Sequence, residues 1–169
     1  MLIASYLVEQ MKALPGPLAV FFTSILPITE SRVSVPLAIT FFKMHPWEAV
    51  VYSSLSGIIV TVFLLWLLGP VSGFLIKHSV LAQRFFNWLF IRTRNKFVGS
   101  YEKYGLLALM IFVAIPLPGS GVWTGSLIVF IFGMSFRKAF IFISFGAIIA
   151  SILVALATTG ILGVINFFI

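Results

Sequence analysis

The stretch PITESRVSVPLAI, Pro27–Ile39, decides how this chain is read. It places Glu30 and Arg32, opposite charges two residues apart, between Pro27 and Pro36. Its flanks are apolar, SIL before it and TFF after it. A membrane-spanning helix tolerates neither feature cheaply. Charge inside a bilayer is costly, and each proline removes one backbone N–H from the helix. The stretch is therefore expected to turn inside an apolar block instead of crossing straight through it.

The rest of the chain supplies the solvent. Of 169 residues, 61% are hydrophobic and 9% are charged, and the mean hydropathy is +1.18. Soluble domains carry roughly 25% charged residues. So much apolar side chain cannot be covered in water, so an all-α integral membrane protein is expected. At about 20 residues per span, the length suits a single membrane domain, 1–169, with about four to six embedded segments. The balance of 11 Lys plus Arg against 4 Glu reads as membrane topology. It is not the basic face of a nucleic-acid-binding module. There is no cysteine, so disulfide and thiol chemistry are excluded. The N-terminal MLIASYLVEQMKALPG lacks the basic start of a signal peptide and is expected to be a short interfacial helix.

Four apolar blocks follow one another. Leu14–Phe42 is broken by Pro15, Pro17, Pro27 and Pro36, and Trp47–Gly69 is clean. Leu106–Met134 is broken by Pro116, Pro118, Gly119, Gly121 and Gly125, and Phe136–Thr159 is clean. That order points to duplication. A shift of 89 positions, the separation of Pro27 and Pro116, also lays Gly16 on Gly105, Ser31 on Ser120 and Gly57 on Gly146. Repeat one is placed at about 14–69, a linker at about 70–104 and repeat two at about 105–159.

Charge then chooses the topology. If each broken block enters the membrane and returns, Arg137 and Lys138 join Lys77, Arg84, Arg92, Arg94, Lys96 and Lys103 on one face. Lys12 and Lys43, offset by Glu9 and Glu48, stay on the other. Positive residues favour the cytoplasm. Expected, then, are two inverted repeats, each a re-entrant helical hairpin followed by a full transmembrane helix, joined by an amphipathic cytoplasmic linker. The basic linker 77–103 is cytoplasmic, both termini lie outside, and the location is the plasma membrane. Inverted repeats with broken helices are a signature of secondary transporters. In the linker, Leu81, Phe85 and Trp88 recur at helical spacing beside Lys77 and Arg84, as in a helix lying on the membrane surface. Plain anchoring to membrane lipid is the favoured role for it.

The candidate site is the pair of tips. Glu30 and Arg32 share a side if the backbone between the prolines is extended, and two readings stand. They pair to staple the turn, or Glu30 serves a proton or cation while Arg32 binds an anion through its two-pronged guanidinium. The second tip, IPLPGSGVWTGS, has no charge but offers Ser120, Trp123 and Thr124. Pro27, Pro36, Pro116, Pro118, Gly119, Gly121 and Gly125 are read as the hairpin turns. Ser53, Ser54, Ser56 and Ser144 are read as small residues that let helices approach. His78 stands alone, so no metal site is expected. No cofactor motif and no nucleophile–base–acid set is present, and an enzyme is not expected.

Two segments also carry a family likeness. P-x-x-E-x-R-x-x-x-P is matched by Pro27, Glu30, Arg32 and Pro36. P-x-P-G-[ST]-G-x-W-x-G is matched by Pro116, Pro118, Gly119, Ser120, Gly121, Trp123 and Gly125. They resemble the signatures of the small multidrug export protein family, a distant relative of the DedA membrane proteins. The likeness runs over roughly residues 14–160, with Val33 where the family usually has Gly. It implies paired re-entrant hairpins and a transport role. DedA relatives are linked to moving polyprenyl-phosphate lipids and carry arginine in the second hairpin, which this chain lacks. A secondary transporter or lipid flippase of DedA-like type is expected, its substrate a small molecule, a lipid phosphate or an ion held between the tips. The alternative is a structural or assembly protein whose Glu30–Arg32 pair stabilises the fold. So little protein around two hairpins also implies a homodimer.

Overall fold

The computed structural model describes residues 15–27, 29–78, 80, 83–84, 101–117 and 119–168. Its elements are α1 Gly16–Ile25, α2 Glu30–Thr40, α3 Pro46–His78, α4 Tyr101–Ala114, α5 Val122–Phe132 and α6 Phe136–Phe168. No strand occurs among the described residues. The expected N-terminal helix falls outside them, as do Leu81, Phe85 and Trp88 of the linker.

Lengths divide the helices into two kinds. α1, α2, α4 and α5 have 10, 11, 14 and 11 residues, or about 15–21 Å at 1.5 Å per residue. Each is too short for a hydrocarbon core of about 30 Å. α3 and α6 have 33 residues each. Their windows Pro46–Val71 and Phe136–Ile161 are long and apolar enough to cross a membrane.

The ends follow local chemistry. Pro17 lies in the first turn of α1, where its missing N–H costs nothing and its fixed φ suits the helix. α3 opens with a reciprocal cap: the His45 N–H donates to Glu48 Oε2 at 3.3 Å, three residues into the first turn. α5 closes at Gly133, left-handed at φ 62°, and the Met134 N–H reaches back to Val129 O at 3.0 Å, a Schellman ending. Two boundaries differ from expectation. α6 runs past Thr159 to Phe168. α3 does not stop at Gly69 but runs through Pro70 to His78. A proline inside a long membrane helix forfeits one hydrogen bond, here to the Trp66 carbonyl, and the bonds on either side carry the helix on.

The two long helices repeat one burial pattern. Ala49, Ser53, Ser54, Val60, Thr61 and Leu64 are buried, and so are Ala139, Ile143, Ser144, Ala150, Ser151 and Val154, each 90 positions later. Val51, Leu55, Ile59, Phe63 and Trp66 are exposed, and so are Ile141, Phe145, Ile149, Leu153 and Leu156 at the same shift. The register is thus 90 here, while α1 and α4 end 89 apart, at Ile25 and Ala114. The gapless shift of 89 does not hold through the tips. On both helices the buried face mixes small and hydroxylic residues with branched aliphatics, and the outer face is large and apolar, as in membrane helices that pack closely and meet lipid outside.

The chain divides into two compact units. One takes residues up to Gly57 together with those from Ile148, and the other takes Ile58–Ala147. Each therefore contains one pair of short helices and part of both long ones. In the first unit α1 and α2 form an antiparallel hairpin. A Cβ on Gly16 would lie 3.3 Å from Phe42 Cβ, while Ser24 meets Ser34. Eight steps forward on one arm thus match eight back along the other. The core behind it is Val20, Val35, Ala38, Ile39, Ala49, Val50, Val154 and Ala155. In this unit α3 and α6 run antiparallel: Ser151 meets Ser53 at 3.5 Å, and Pro46 and Trp47 share a cavity with Leu156 and Thr159.

In the second unit α4, α5 and α6 meet at glycines. A Cβ on Gly125 would come 2.8 Å from Val113 Cγ2, and one on Gly146 would come 2.8 Å from the Met110 carbonyl oxygen. Both positions need hydrogen in place of a side chain for the helices to approach this closely.

Candidate functional site

Leu26, Pro27 and Thr29 lie at the first tip, between the end of α1 and the start of α2. The Glu30 N–H donates to Leu26 O at 3.1 Å, and the Val33 N–H to Thr29 O at 3.1 Å. The Thr29 hydroxyl reaches back to the Thr23 carbonyl. α2 starts at Glu30 and runs through Pro36. This corrects two expectations: the backbone around the charges is helical, not extended, and Pro36 lies inside a helix and not in the turn. Four residues before it, the Arg32 carbonyl receives no helical N–H from Pro36.

Residues two apart on a regular helix do not face each other. Glu30 and Arg32 nevertheless stand at 4.0 Å, Oε2 to Nη2. The first residue of α2 is not regular: Glu30 has φ 38°, a left-handed value that is strained for a side chain with a Cβ. Glu30 is buried at 7% exposure, and the Arg32 side chain is 18% exposed. A strained backbone, a buried carboxylate and a neighbouring guanidinium thus coincide at one residue, as strained positions do at functional sites.

Four residues after Glu30 in α2 comes Ser34, fully buried. It belongs to a cluster that sequence reasoning missed. Ser24 Oγ lies 2.6 Å from Ser34 Oγ and 3.3 Å from Ser53 Oγ. Ser34 Oγ lies 3.2 Å from Ser53 Oγ, and Ser151 Oγ stands 3.5 Å from Ser53 Oγ. Four helices, α1, α2, α3 and α6, each contribute one buried hydroxyl. Ser24 also donates to the Val20 carbonyl at 2.8 Å. Beside the cluster on α3, Ser54 Oγ is buried without a hydrogen-bond partner, and so is Ser144 Oγ at the matching position of α6. A sequence shows such serines only as scattered small residues, because their convergence depends on how the helices pair.

The second tip has different chemistry. Ser120 is buried. Its hydroxyl faces Ile115 O at 2.5 Å and Leu117 O at 2.8 Å, and it accepts the Leu117 N–H at 3.2 Å. Ser120 therefore fastens the turn. Pro116, Gly119 and Gly121 lie in this turn, Gly119 at φ 86°, a conformation that requires glycine. Pro118 is outside the described residues. Gly125 lies within α5, where it serves close packing instead of turning the chain. Trp123 and Thr124, half-buried, occupy the first turn of α5, whose N-cap Gly121 provides no side-chain bond. Among the described residues no group of His, Cys, Asp and Glu could hold a metal.

Comparison with known families decides the membership. A sequence model described as "putative small multi-drug export protein" matches residues 30–153. The chain belongs to that family. The match begins at Glu30, covers all of α3 and ends within α6 at Leu153. Searches of curated proteins and of solved structures found no match. Family membership and two apolar helices of spanning length place the protein in a membrane, and the family's description is one of multi-drug export.

Proposed function

We propose that this family member is a secondary transporter whose substrate or coupling ion engages Glu30 and Arg32 at the first tip. The observation that carries the reading is the buried carboxylate of Glu30 beside the Arg32 guanidinium at the tip of an apolar hairpin. The same unit also holds four buried hydroxyls spaced 2.6–3.5 Å apart. Hydroxyls donate and accept, so such a series can pass a proton or replace part of a cation's hydration. Intramembrane ionisable groups are costly and usually mark pathways or binding sites. Arg32 suits an anionic group on a substrate, since its fork offers two parallel donors.

In this reading α1–α2 and α4–α5 are re-entrant hairpins, α3 and α6 are the full spans, and the halves are inverted. The short arms and the burial pattern repeated on α3 and α6 support it. Lys77, Arg84, Arg137 and Lys138 then face the cytoplasm of a multi-pass plasma-membrane protein, and a second copy covers hairpin backbone that one chain leaves to lipid. Trp123 and Thr124 remain candidate substrate contacts, and a lipid phosphate of the DedA type is one substrate that Arg32 could hold. The chain carries no catalytic role in this scheme.

The second reading, a non-transporting protein stapled by Glu30–Arg32, is favoured by the 4.0 Å pair itself. Proteoliposomes separate the two. Under an imposed proton or sodium gradient, wild type moves ions, as followed by an entrapped dye. Glu30→Gln and Arg32→Ala unfold at the wild-type temperature yet lose at least about tenfold of that flux, as expected for groups in the pathway. A silent wild type, with both variants folding poorly, would leave the pair as a fold element only.

A further inference from the structure

The second unit contains a cavity that the transport reading does not use. Leu65, Leu68 and Gly69 of α3, Val129 and Phe130 of α5, and the Gly133–Phe136 turn enclose about 380 Å³. A cavity of about 150 Å³ already takes a benzene ring, so this one has room for a length of hydrocarbon chain. Its lining carries no charge. A Cβ on Gly69 or Gly133 would meet nothing within 4 Å, so the space beside both glycines is open.

Its depth can be read from the helices. Phe136, which lines the cavity, begins the apolar window of α6. The cavity therefore lies at the boundary between hydrocarbon and headgroups. Arg137 and Lys138, both exposed, directly follow Phe136, and Lys77, also exposed, stands eight residues past Gly69. An apolar slot opening at headgroup level beside cations is complementary to one kind of molecule, with an apolar tail and an anionic head.

We propose that this cavity is a binding site for one anionic phospholipid of the surrounding bilayer. An acyl chain lies against Leu65, Leu68 and Val129, and the phosphate is held by Arg137 and Lys138. Each basic residue near an anionic membrane surface contributes about 1 kcal/mol, which for two amounts to about a thirtyfold preference over a neutral lipid.

The test reconstitutes the protein in vesicles of equal parts phosphatidylglycerol and phosphatidylcholine, extracts it in mild detergent and counts retained lipid by native mass spectrometry. Wild type keeps phosphatidylglycerol over phosphatidylcholine. Arg137→Gln/Lys138→Gln, a change of exposed side chains only, lowers that preference by about thirtyfold. Leu68→Trp, which fills the slot, loses the retained lipid of either kind. The proposal falls if wild type retains both lipids equally. It falls equally if the double glutamine variant keeps the wild-type preference. Should Leu68→Trp fail to fold, the double variant decides alone.

Discussion

Glu30 can be tested by replacing it with the two residues that both remove its carboxylate. At φ 38°, a residue with a Cβ carries about 1–2 kcal/mol of left-handed strain. Alanine keeps that strain, whereas glycine does not. Glycine loses more backbone entropy on folding, about 0.5–1 kcal/mol relative to alanine. The difference leaves Glu30→Gly more stable than Glu30→Ala by about 0.5–1 kcal/mol. In an ordinary helix the order is reversed, with glycine about 1 kcal/mol worse. Ser31, next in α2 and without a positive φ, is the internal control: Ser31→Ala exceeds Ser31→Gly there. Because both Glu30 variants lose the same contact to Arg32, the comparison isolates the backbone from the charge. Reversible unfolding of the four variants in one detergent reads it out. If Glu30→Ala is as stable as Glu30→Gly, Glu30 is not strained, and its place at the start of α2 needs another explanation.

Three further outcomes follow from the packing. Gly146→Ala drives a Cβ to 2.8 Å from the Met110 carbonyl oxygen and 2.9 Å from Val113 Cβ. Backbone cannot yield as a side chain does, so about 1–3 kcal/mol is lost, visible as earlier thermal unfolding. Ser53→Ala removes the hydroxyl that faces Ser24, Ser34 and Ser151 and lowers stability by about 1 kcal/mol. Ser54→Ala, one residue on, removes an unpartnered buried hydroxyl and leaves stability equal or higher; equal losses at both serines in an unfolding titration would contradict that contrast. Thr29→Val removes the bond to the Thr23 carbonyl and costs about 1 kcal/mol, measurable in the same titration.

Much of this arrangement was legible before the helices were placed, because the bilayer constrains an apolar chain so strongly. The clean blocks became α3 and α6, and the broken blocks became pairs of short helices. Hydrophobicity and Pro/Gly punctuation fix where these long helices start, while their ends run on to His78 and Phe168, nine residues past Gly69 and Thr159. Pro36 and Pro70 were misread for one reason: a proline removes a single hydrogen bond, and a helix with sound neighbours on both sides absorbs that loss. The pairing of Glu30 with Arg32 was anticipated through an extended backbone, but it arises at a left-handed residue that no pattern announces. Ser120 drew notice as a polar side chain in an uncharged tip, yet its hydroxyl bonds to its own turn, at Ile115 and Leu117. The serine cluster was invisible because its members lie up to 127 positions apart, Ser24 to Ser151.

That cluster marks a chemical difference between the two units. Ser24 and Val113 are each the penultimate residue of the first arm in their hairpin. Ser24 meets Ser34 through a hydrogen bond of 2.6 Å, whereas Val113 meets the bare backbone of Gly125. The same crossing is therefore polar in one half and apolar in the other. The long helices behind the hairpins repeat each other in burial position by position, so the difference does not come from the scaffold. Hydroxyls buried in an apolar interior bring a desolvation cost that Val and Gly at the equivalent place do not. A fold that needed only close packing had the apolar solution available, and one half uses it. The other half carries a carboxylate and an arginine at its tip and four buried hydroxyls in its interior, and it is this half's polar groups that the proposed transport reading uses.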